Sequence, residues 1–575
     1  MALTQSMTPI KRFWRLLKPD HKEIRNVYVY AVFNGIISLS LPLGIQAIVN
    51  LIQGGQINTS WIVLVAIVVL GVGFSGLLQI FQLRIVENLQ QKIFTRAAFE
   101  FAYRIPRIRL EALYRQYAPE LMNRFFDVMS LQKGLSKILI DFSAASLQMI
   151  FSLILLSFYH PFFILFSFFL LFFAYIVIRL TAQIGLAKSI DESKYKYKVA
   201  YWLEELARTS NTFKLAGNIN LPMDRTDKAV SQYLDARESH YKILVRQYSL
   251  MVLFKVLLVS GLLVIGGILV MEQLMNIGQF VAAEIIILLI IGSVEKLVLS
   301  IETIYDVLTG LEKIGQVTDL ELEDNQGIDL SKDCAPGAIC LEMDGVQFTY
   351  PGAEQPTLKN ISLQVKAGDR VMIAGRNGSG KSTLLQLMAG LYDTELGLLT
   401  YQGISKQSVS LDSLRSIMGD CLSQEQLFEG TLLENITLGN PNIGIANIQP
   451  IFEKIGLTDF LQSTPQGFQH RIEPQGSNLS KSVAQLILIA RSVCKNPKLL
   501  LLEDALEHLD DGPRRRVVDF ITDKNRPWTL ICVSSDAYLA SKCDQIILLD
   551  QGSISAQGEY KLMKSSITFK KEGHA

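Results

Sequence analysis

Six long apolar runs occupy the first half of the chain: Val27–Ile52, Trp61–Leu83, Ile138–Tyr159, Pro161–Leu180, Ser249–Val270 and Ile277–Leu299. Each is close to the ~20 residues that cover a bilayer core as an α-helix. A helix buried in a soluble protein keeps one polar stripe. Phe162-Phe163-Ile164-Leu165-Phe166, running on to Ile178, shows almost none. The pattern predicts six membrane-spanning helices. Their connections alternate in length and charge. Gln53–Ser60, Tyr159-His160-Pro161 and Met271–Asn276 are short and nearly free of basic residues, whereas about 84–136 and 181–248 are long and rich in Lys and Arg. The start of the chain carries Lys11, Arg12, Arg15, Lys18, Lys22 and Arg25. Basic flanks mark the cytoplasmic side, which places both termini and both long connections there.

Within the long connections, Leu203, Leu206, Phe213 and Leu215 keep helical spacing with few breakers, so the membrane helices are expected to continue into the cytosol. After Leu299 the composition changes. Asp319-Leu-Glu-Leu-Glu-Asp-Asn-Gln-Gly327 is acidic, and from Ala338 onward the pattern alternates between strand and helix. Val371–Ala374 and Leu499–Leu502 are short apolar runs bounded by turns or charges, as buried parallel strands are. The expected division is a cytoplasmic N-terminal segment (1–26), a transmembrane domain (27–312), an acidic linker (313–337), a domain of alternating strands and helices (338–563) and a tail (564–575).

Composition agrees with a chain divided in this way. Its 575 residues exceed what one core organises, and the mean hydropathy of +0.27 is high for a soluble enzyme. Lys and Arg total 55 against 54 Asp and Glu, a net charge of +1, which excludes a general electrostatic grip on nucleic acid. The six cysteines, Cys334, Cys340, Cys421, Cys494, Cys532 and Cys543, form no CxxC pair and read as reduced thiols of a cytosolic domain. Met1–Arg25 has no apolar core of a secretory signal. Lys255 and Glu284 lie inside apolar runs, where charge is costly, so they either line a translocation path or pair structurally, with each other or with Glu295-Lys296.

The chemistry lies after residue 338. Gly375-Arg376-Asn377-Gly378-Ser379-Gly380-Lys381-Ser382 fits G-x-x-x-x-G-K-[ST], between a strand-like run and the helix-like Thr383-Leu-Leu-Gln-Leu-Met. Glycines let successive backbone N–H groups curl round phosphate, Lys381 reaches the β- and γ-phosphates, and the Ser382 hydroxyl ligates Mg²⁺. Residues 375–383 are therefore the candidate nucleotide-binding residues, with ATP and Mg²⁺ as the cofactors. The fold class is an all-α six-helix transmembrane domain followed by an α/β P-loop NTPase cassette.

The order Phe348-Thr349-Tyr350, the P-loop, Gln424–Phe428, Leu479-Ser480, Ala490-Arg491, Pro497–Asp504 and Leu509-Asp510 resembles the ATP-binding cassette of ABC transporters. With six spans in front, the chain resembles an ABC exporter half-transporter. Pro42–Asn50 and Val281–Lys296 look like the RTX/haemolysin-type (type I secretion) branch, and the short basic start leads us to expect no N-terminal peptidase-like domain.

By this resemblance Tyr350 stacks on adenine, Glu503 orients Mg²⁺, Asp504 polarises the attacking water, and Asp510 belongs to the D-loop. The sequence departs from the family in four places. Glu503-Asp504 reverses the usual Asp-Glu, leaving Asp504 one methylene short. The signature Leu-Ser-Gly-Gly-Gln reads Leu479-Ser480-Lys481-Ser482-Val483, the switch histidine is Ser535, and counting from both flanks places the γ-phosphate-sensing glutamine at Ser423, with Gln424 one step out of register.

The resemblance implies an ATP-driven exporter with weak ATPase activity in the inner (cytoplasmic) membrane. It would work as a homodimer or as a heterodimer with a second half-transporter, with a periplasmic adaptor if the secretion likeness holds. The alternative is a pseudo-ATPase subunit that gates or scaffolds a secretion complex without turnover.

Overall fold

The computed structural model describes residues 7–53, 59–114, 116–217, 219–333, 337–423 and 425–563. The chain divides into two units. One comprises 1–106 and 116–320; the other comprises 107–115 and 321–575.

The first unit is helical. Its main helices are α1 (Pro9–Leu17), α2 (His21–Ser38), α3 (Ser40–Gln53), α4 (Thr59–Arg104), α5 (Asp127–Lys137), α6 (Ser143–Ser157), α7 (Pro161–Arg208), α8 (Leu221–Gly261) and α9 (Ile277–Thr318). A π-helical turn, Ile138–Phe142, joins α5 to α6. Local sequence explains several starts. α7 opens with Pro161 in its first turn behind His160, whose ring accepts from the Phe162 N–H. α9 opens with a capping box between Asn276 and Gln279. Five helical stretches among the described residues are long and apolar enough to cross a membrane. The sixth apolar run begins the 48-residue α7, whose contiguous described apolar part is Pro161–Phe173.

As the sequence led us to expect, α4, α7, α8 and α9 continue far beyond their apolar runs. In those extensions the packing turns polar. Gln247 donates to Thr181 (2.8 Å) and Tyr305 (2.9 Å), Ser189 meets Thr309 at 2.9 Å, and Tyr197 donates to Asp127 at 2.6 Å. His240 and Glu192 lie 2.7 Å apart. Buried polar groups of this kind hold helix register because each requires its partner. Within the apolar zone, Lys255 pairs with Glu295 at 2.9 Å.

The second unit has two large sheets and a two-stranded one that pairs Gly430–Thr431 with Arg471–Ile472. A four-stranded sheet has the order β2-β1-β4-β5, from β1 (Leu341–Phe348), β2 (Leu358–Val365), β4 (Leu396–Tyr401) and β5 (Ile404–Ser405). A six-stranded sheet has the order β10-β9-β3-β8-β7-β6, from β3 (Arg370–Gly375), β6 (Met418–Cys421), β7 (Leu499–Glu503), β8 (Thr529–Val533), β9 (Gln545–Asp550) and β10 (Ser553–Gly558). In it β6, β7, β8, β3 and β9 run parallel, and β10 closes one edge antiparallel to β9.

The run Val371–Ala374 is buried on both faces, and its alternate residues separate two cores. Val371 and Ile373 pack with Leu384, Leu385, Leu387 and Met388 of α10 (Lys381–Met388). Met372 and Ala374 pack in the other core, with Leu486, Ile487 and Ile489 of α11 (Lys481–Cys494). Helices α10 and α11 therefore cover opposite faces of one sheet. A further helix, α12 (Asp511–Thr522), packs its Val517, Val518 and Ile521 into the α11 core.

Candidate functional site

Parallel strands β3, β7 and β8 end together. Val533 is in register with Ile373 on one side and with Glu503 on the other. In open α/β sheets ligands bind beyond the carboxyl ends of such strands. Three of the sequence-predicted features leave the sheet here: residues 376–380 after β3, Asp504 after β7 and Ser535 after β8.

Residues 376–380 turn sharply between β3 and α10. Gly375 has φ +153°, and a Cβ there would lie 2.3 Å from the Leu549 carbonyl oxygen. Gly380 has φ +99°, and its Cβ would meet a Leu358 methyl at 2.8 Å. Only glycine takes this path without displacing a neighbour. Arg376, Asn377, Gly378 and Ser382 are exposed, and the Thr383 side chain is buried under the first turn of α10. Lys381 Nζ lies 2.9 Å from the carbonyl oxygens of both Gly375 and Arg376, so its cation spans the loop's own acceptors. Ser379 Oγ is buried and finds no hydrogen-bond partner among the described residues. A cation within reach, exposed residues over a left-handed turn and an unsatisfied buried hydroxyl suit a polyphosphate, so the residues present fit MgATP.

Glu503 ends β7 and is only 4% exposed. Its Oε2 accepts from the Ser423 backbone N–H at 3.1 Å, which brings the counted glutamine position against the Mg²⁺-orienting candidate. Gln424 lies outside the described residues. Asp504 follows with φ +47°, a left-handed backbone uncommon for a residue other than glycine, and its N–H is held by the Val533 carbonyl at 3.0 Å. Asp510 is the exposed N-cap residue of α12. Ser535 is half-buried after β8, next to Asp536, which caps the following short helix through the Leu539 N–H.

The signature positions lie elsewhere in the unit. Ser480 is the N-cap of α11, its Oγ accepting from Val483 N–H at 3.3 Å, and Leu479 packs into the α11 core. Since α10 and α11 lie on opposite sheet faces, one chain does not bring its Leu479-Ser480 to its own P-loop helix.

Tyr350 is half-buried, and burial pushes its phenol above the ordinary tyrosine value. Its hydroxyl is 3.0 Å from Thr383 Oγ1 and donates to Gln386 at 3.2 Å. Phe348 and Tyr392 pack perpendicular to the ring. Sequence reasoning missed one neighbour. Tyr114, from the long connection between the second and third apolar runs, lies parallel to Tyr350 with centroids 5.1 Å apart and planes 14° apart. The interruption of the helical pattern at Ile105-Pro106 was the signal available, since proline ends or kinks a helix.

Residues 25–294 match the profile described as ABC transporter transmembrane region, and residues 358–507 match that described as ABC transporter. The chain is 30% identical to the "ATP-dependent lipid A-core flippase" of Saccharophagus degradans over 44% of this chain and 43% of that protein. It is 27% identical to the "Alpha-hemolysin translocation ATP-binding protein HlyB" of Escherichia coli O157:H7 over 52% and 42%. In both cases the aligned part spans less than half the relative's length. A solved bacterial Atm1-family ABC exporter with ATP bound superposes with TM-score 0.82 at 20% identity, over 95% of this chain and 96% of that one, and so shares the fold. The chain thus belongs to the ABC transporters, as a half-transporter of exporter architecture whose helical transmembrane domain is fused to an ATP-binding cassette.

Proposed function

We propose that the protein is an exporter subunit that binds MgATP and hydrolyses it slowly, working as a dimer of half-transporters, in a secretion-type system with a periplasmic adaptor. The observation that carries this reading is Lys381 bonded across the loop of residues 375–380, with the buried Glu503 ending a strand at the same end of the sheet. Lys381 and the loop's backbone N–H groups would hold the phosphates, and Ser382 with Glu503 would hold Mg²⁺. Bound MgATP supplies the phosphoanhydride bond whose cleavage resets the cycle. Asp504 would orient and deprotonate water from the end of β7, and Ser535 offers a neutral hydroxyl where a cation is usual. A dimer fits the opposite placement of α10 and α11, because a signature from a second cassette can approach a P-loop that its own cannot.

A pseudo-ATPase that gates or scaffolds a secretion complex is the second reading. It is favoured by Lys481, which heads α11 with a bulky side chain where backbone approach to a γ-phosphate needs glycine.

Labelled ATP-analogue binding to full-length protein in lipid tests the P-loop reading. Lys381→Ala should abolish binding, because it removes the cation aimed at the β- and γ-phosphates; undiminished affinity would sink the assignment. The same reading places the cassette and both termini in the cytoplasm, in the inner membrane. In intact cells an impermeant thiol reagent should label Glu272→Cys, in a short connection, and spare the exposed Lys194→Cys in the extension of α7. Labelling at position 194 from outside would overturn this topology.

A further inference from the structure

The strap formed by residues 107–114 is fastened to the cassette at several points. Arg109 N–H donates to the Glu321 carbonyl (3.0 Å), and Glu323 N–H donates to the Arg107 carbonyl (2.8 Å). The Arg109 guanidinium pairs with Glu321 at 3.0 Å and also with Asp393, whose N–H donates to Glu111 at 3.1 Å. Leu110 packs against the α10 core. These contacts bring Tyr114 onto the ring of Tyr350. On either side of the strap the chain belongs to the helical unit.

The consequence is specific to this pair of rings. An adenine stacking on Tyr350 needs a parallel approach at the separation Tyr114 already takes. The Tyr350 hydroxyl is also engaged by Thr383 and Gln386 on α10, so two candidate nucleotide-binding side chains are bonded to each other. We propose that Tyr114 is a built-in competitor of the nucleotide base: it occupies the stacking face of Tyr350, so that base stacking and strap docking exclude each other.

This rests on the P-loop reading above and deepens it. Phosphate contacts through Lys381 remain open while the base contact is blocked, so the resting protein binds the triphosphate tail with little help from the base. Because linkage is reciprocal, nucleotide that does stack must loosen the strap by the same factor. One aromatic pair is worth roughly a two- to tenfold change in an equilibrium constant, which sets the size of the effect.

The test compares ATP with inorganic tripolyphosphate, which has no base, on full-length protein in lipid. Tyr114→Ala should bind ATP roughly two- to tenfold more tightly while tripolyphosphate affinity stays unchanged, so the preference for ATP widens. Tyr114→Phe, which keeps the ring, should retain the wild-type preference. Unchanged or weaker ATP binding by Tyr114→Ala, with tripolyphosphate intact, would overturn the proposal; weaker binding would make Tyr114 a wall of the base site instead. Loss of both ligands in Lys381→Ala, with the Tyr114 effect absent, leaves the P-loop reading standing and removes this one. If Lys381→Ala binds normally, the P-loop reading itself fails.

Hydrogen exchange on the wild-type protein gives an answer independent of any variant. Adding the ATP analogue should speed exchange over residues 107–114, and tripolyphosphate should not. Unchanged or slower exchange with ATP would equally overturn the competition.

Discussion

Phosphate release from the protein in lipid should rise by two orders of magnitude or more when Asp504→Glu, Ser535→His, Lys481→Gly, Ser482→Gly and Val483→Gln are combined. Each change alone should do little. Asp504 lies on a left-handed turn fixed to β8 through the Val533 carbonyl, so the backbone is poorly placed to shift and recover the missing methylene. A misplacement of ~1 Å at a reacting group costs on the order of a hundredfold. A longer base still needs a cation after β8 and a signature backbone able to approach the γ-phosphate. Groups that act as one unit do not contribute independently, so repair of one leaves the others limiting. The two glycines enter the first turn of α11, where Ser480 already caps the helix, and each should cost no more than ~1 kcal/mol of helix stability. With Lys381→Ala as the blank, brisk turnover by the wild type would show that Glu503, Asp504 and Lys481 form a working site as they stand, and the pseudo-ATPase reading would be dropped.

Much of the architecture was legible because its signals are local. Apolar runs of bilayer length and the glycine pattern between a strand and a helix each act over a few residues, and each lies where the chain pattern placed it. Ser423, the position that counting between Arg415 and Phe428 assigns to the glutamine, has its backbone N–H on Glu503. Non-local pairings carried no such signal. Arg415 clasps Glu323 through two contacts of 2.6 and 2.7 Å across 92 residues, and Lys255 selects Glu295 over the alternatives. The strap is the clearest case. Its residues read as part of a long helical connection, yet a kink at Pro106, a short ladder to 321–323 and one ion pair to Asp393 assign it to the cassette. Which face of the sheet α11 would take was likewise fixed only by the alternation of Met372 and Ala374 against Val371 and Ile373.

Gly375→Ala should destabilise the cassette far more than the chemically identical change at Gly378, although both glycines have positive φ in the same loop. At Gly378 (φ +82°) an added Cβ meets nothing within 4 Å among the described residues, so the cost is the left-handed backbone alone, about 1–2 kcal/mol. At Gly375 the φ of +153° lies where residues other than glycine are scarcely found, and the added Cβ would sit 2.3 Å from the Leu549 carbonyl oxygen. Leu549 is the β9 residue in register with Gly375, so the obstacle is a strand backbone within the central sheet, which cannot rotate away as a side chain could. Relief requires β3 and β9 to separate at the strand ends where Lys381 and Glu503 are positioned. Gly380→Ala is intermediate: its nearest contact is a Leu358 methyl at 2.8 Å, which can change rotamer, and the backbone it meets, the Thr357 carbonyl oxygen, is 3.3 Å away. Thermal unfolding of the three variants should therefore rank Gly375→Ala lowest by a wide margin, more than about 3 kcal/mol below wild type, with ATP-analogue binding lost in the same variant. Equal losses at 375 and 378 would mean that left-handed strain alone governs the loop and that the β9 carbonyl yields freely.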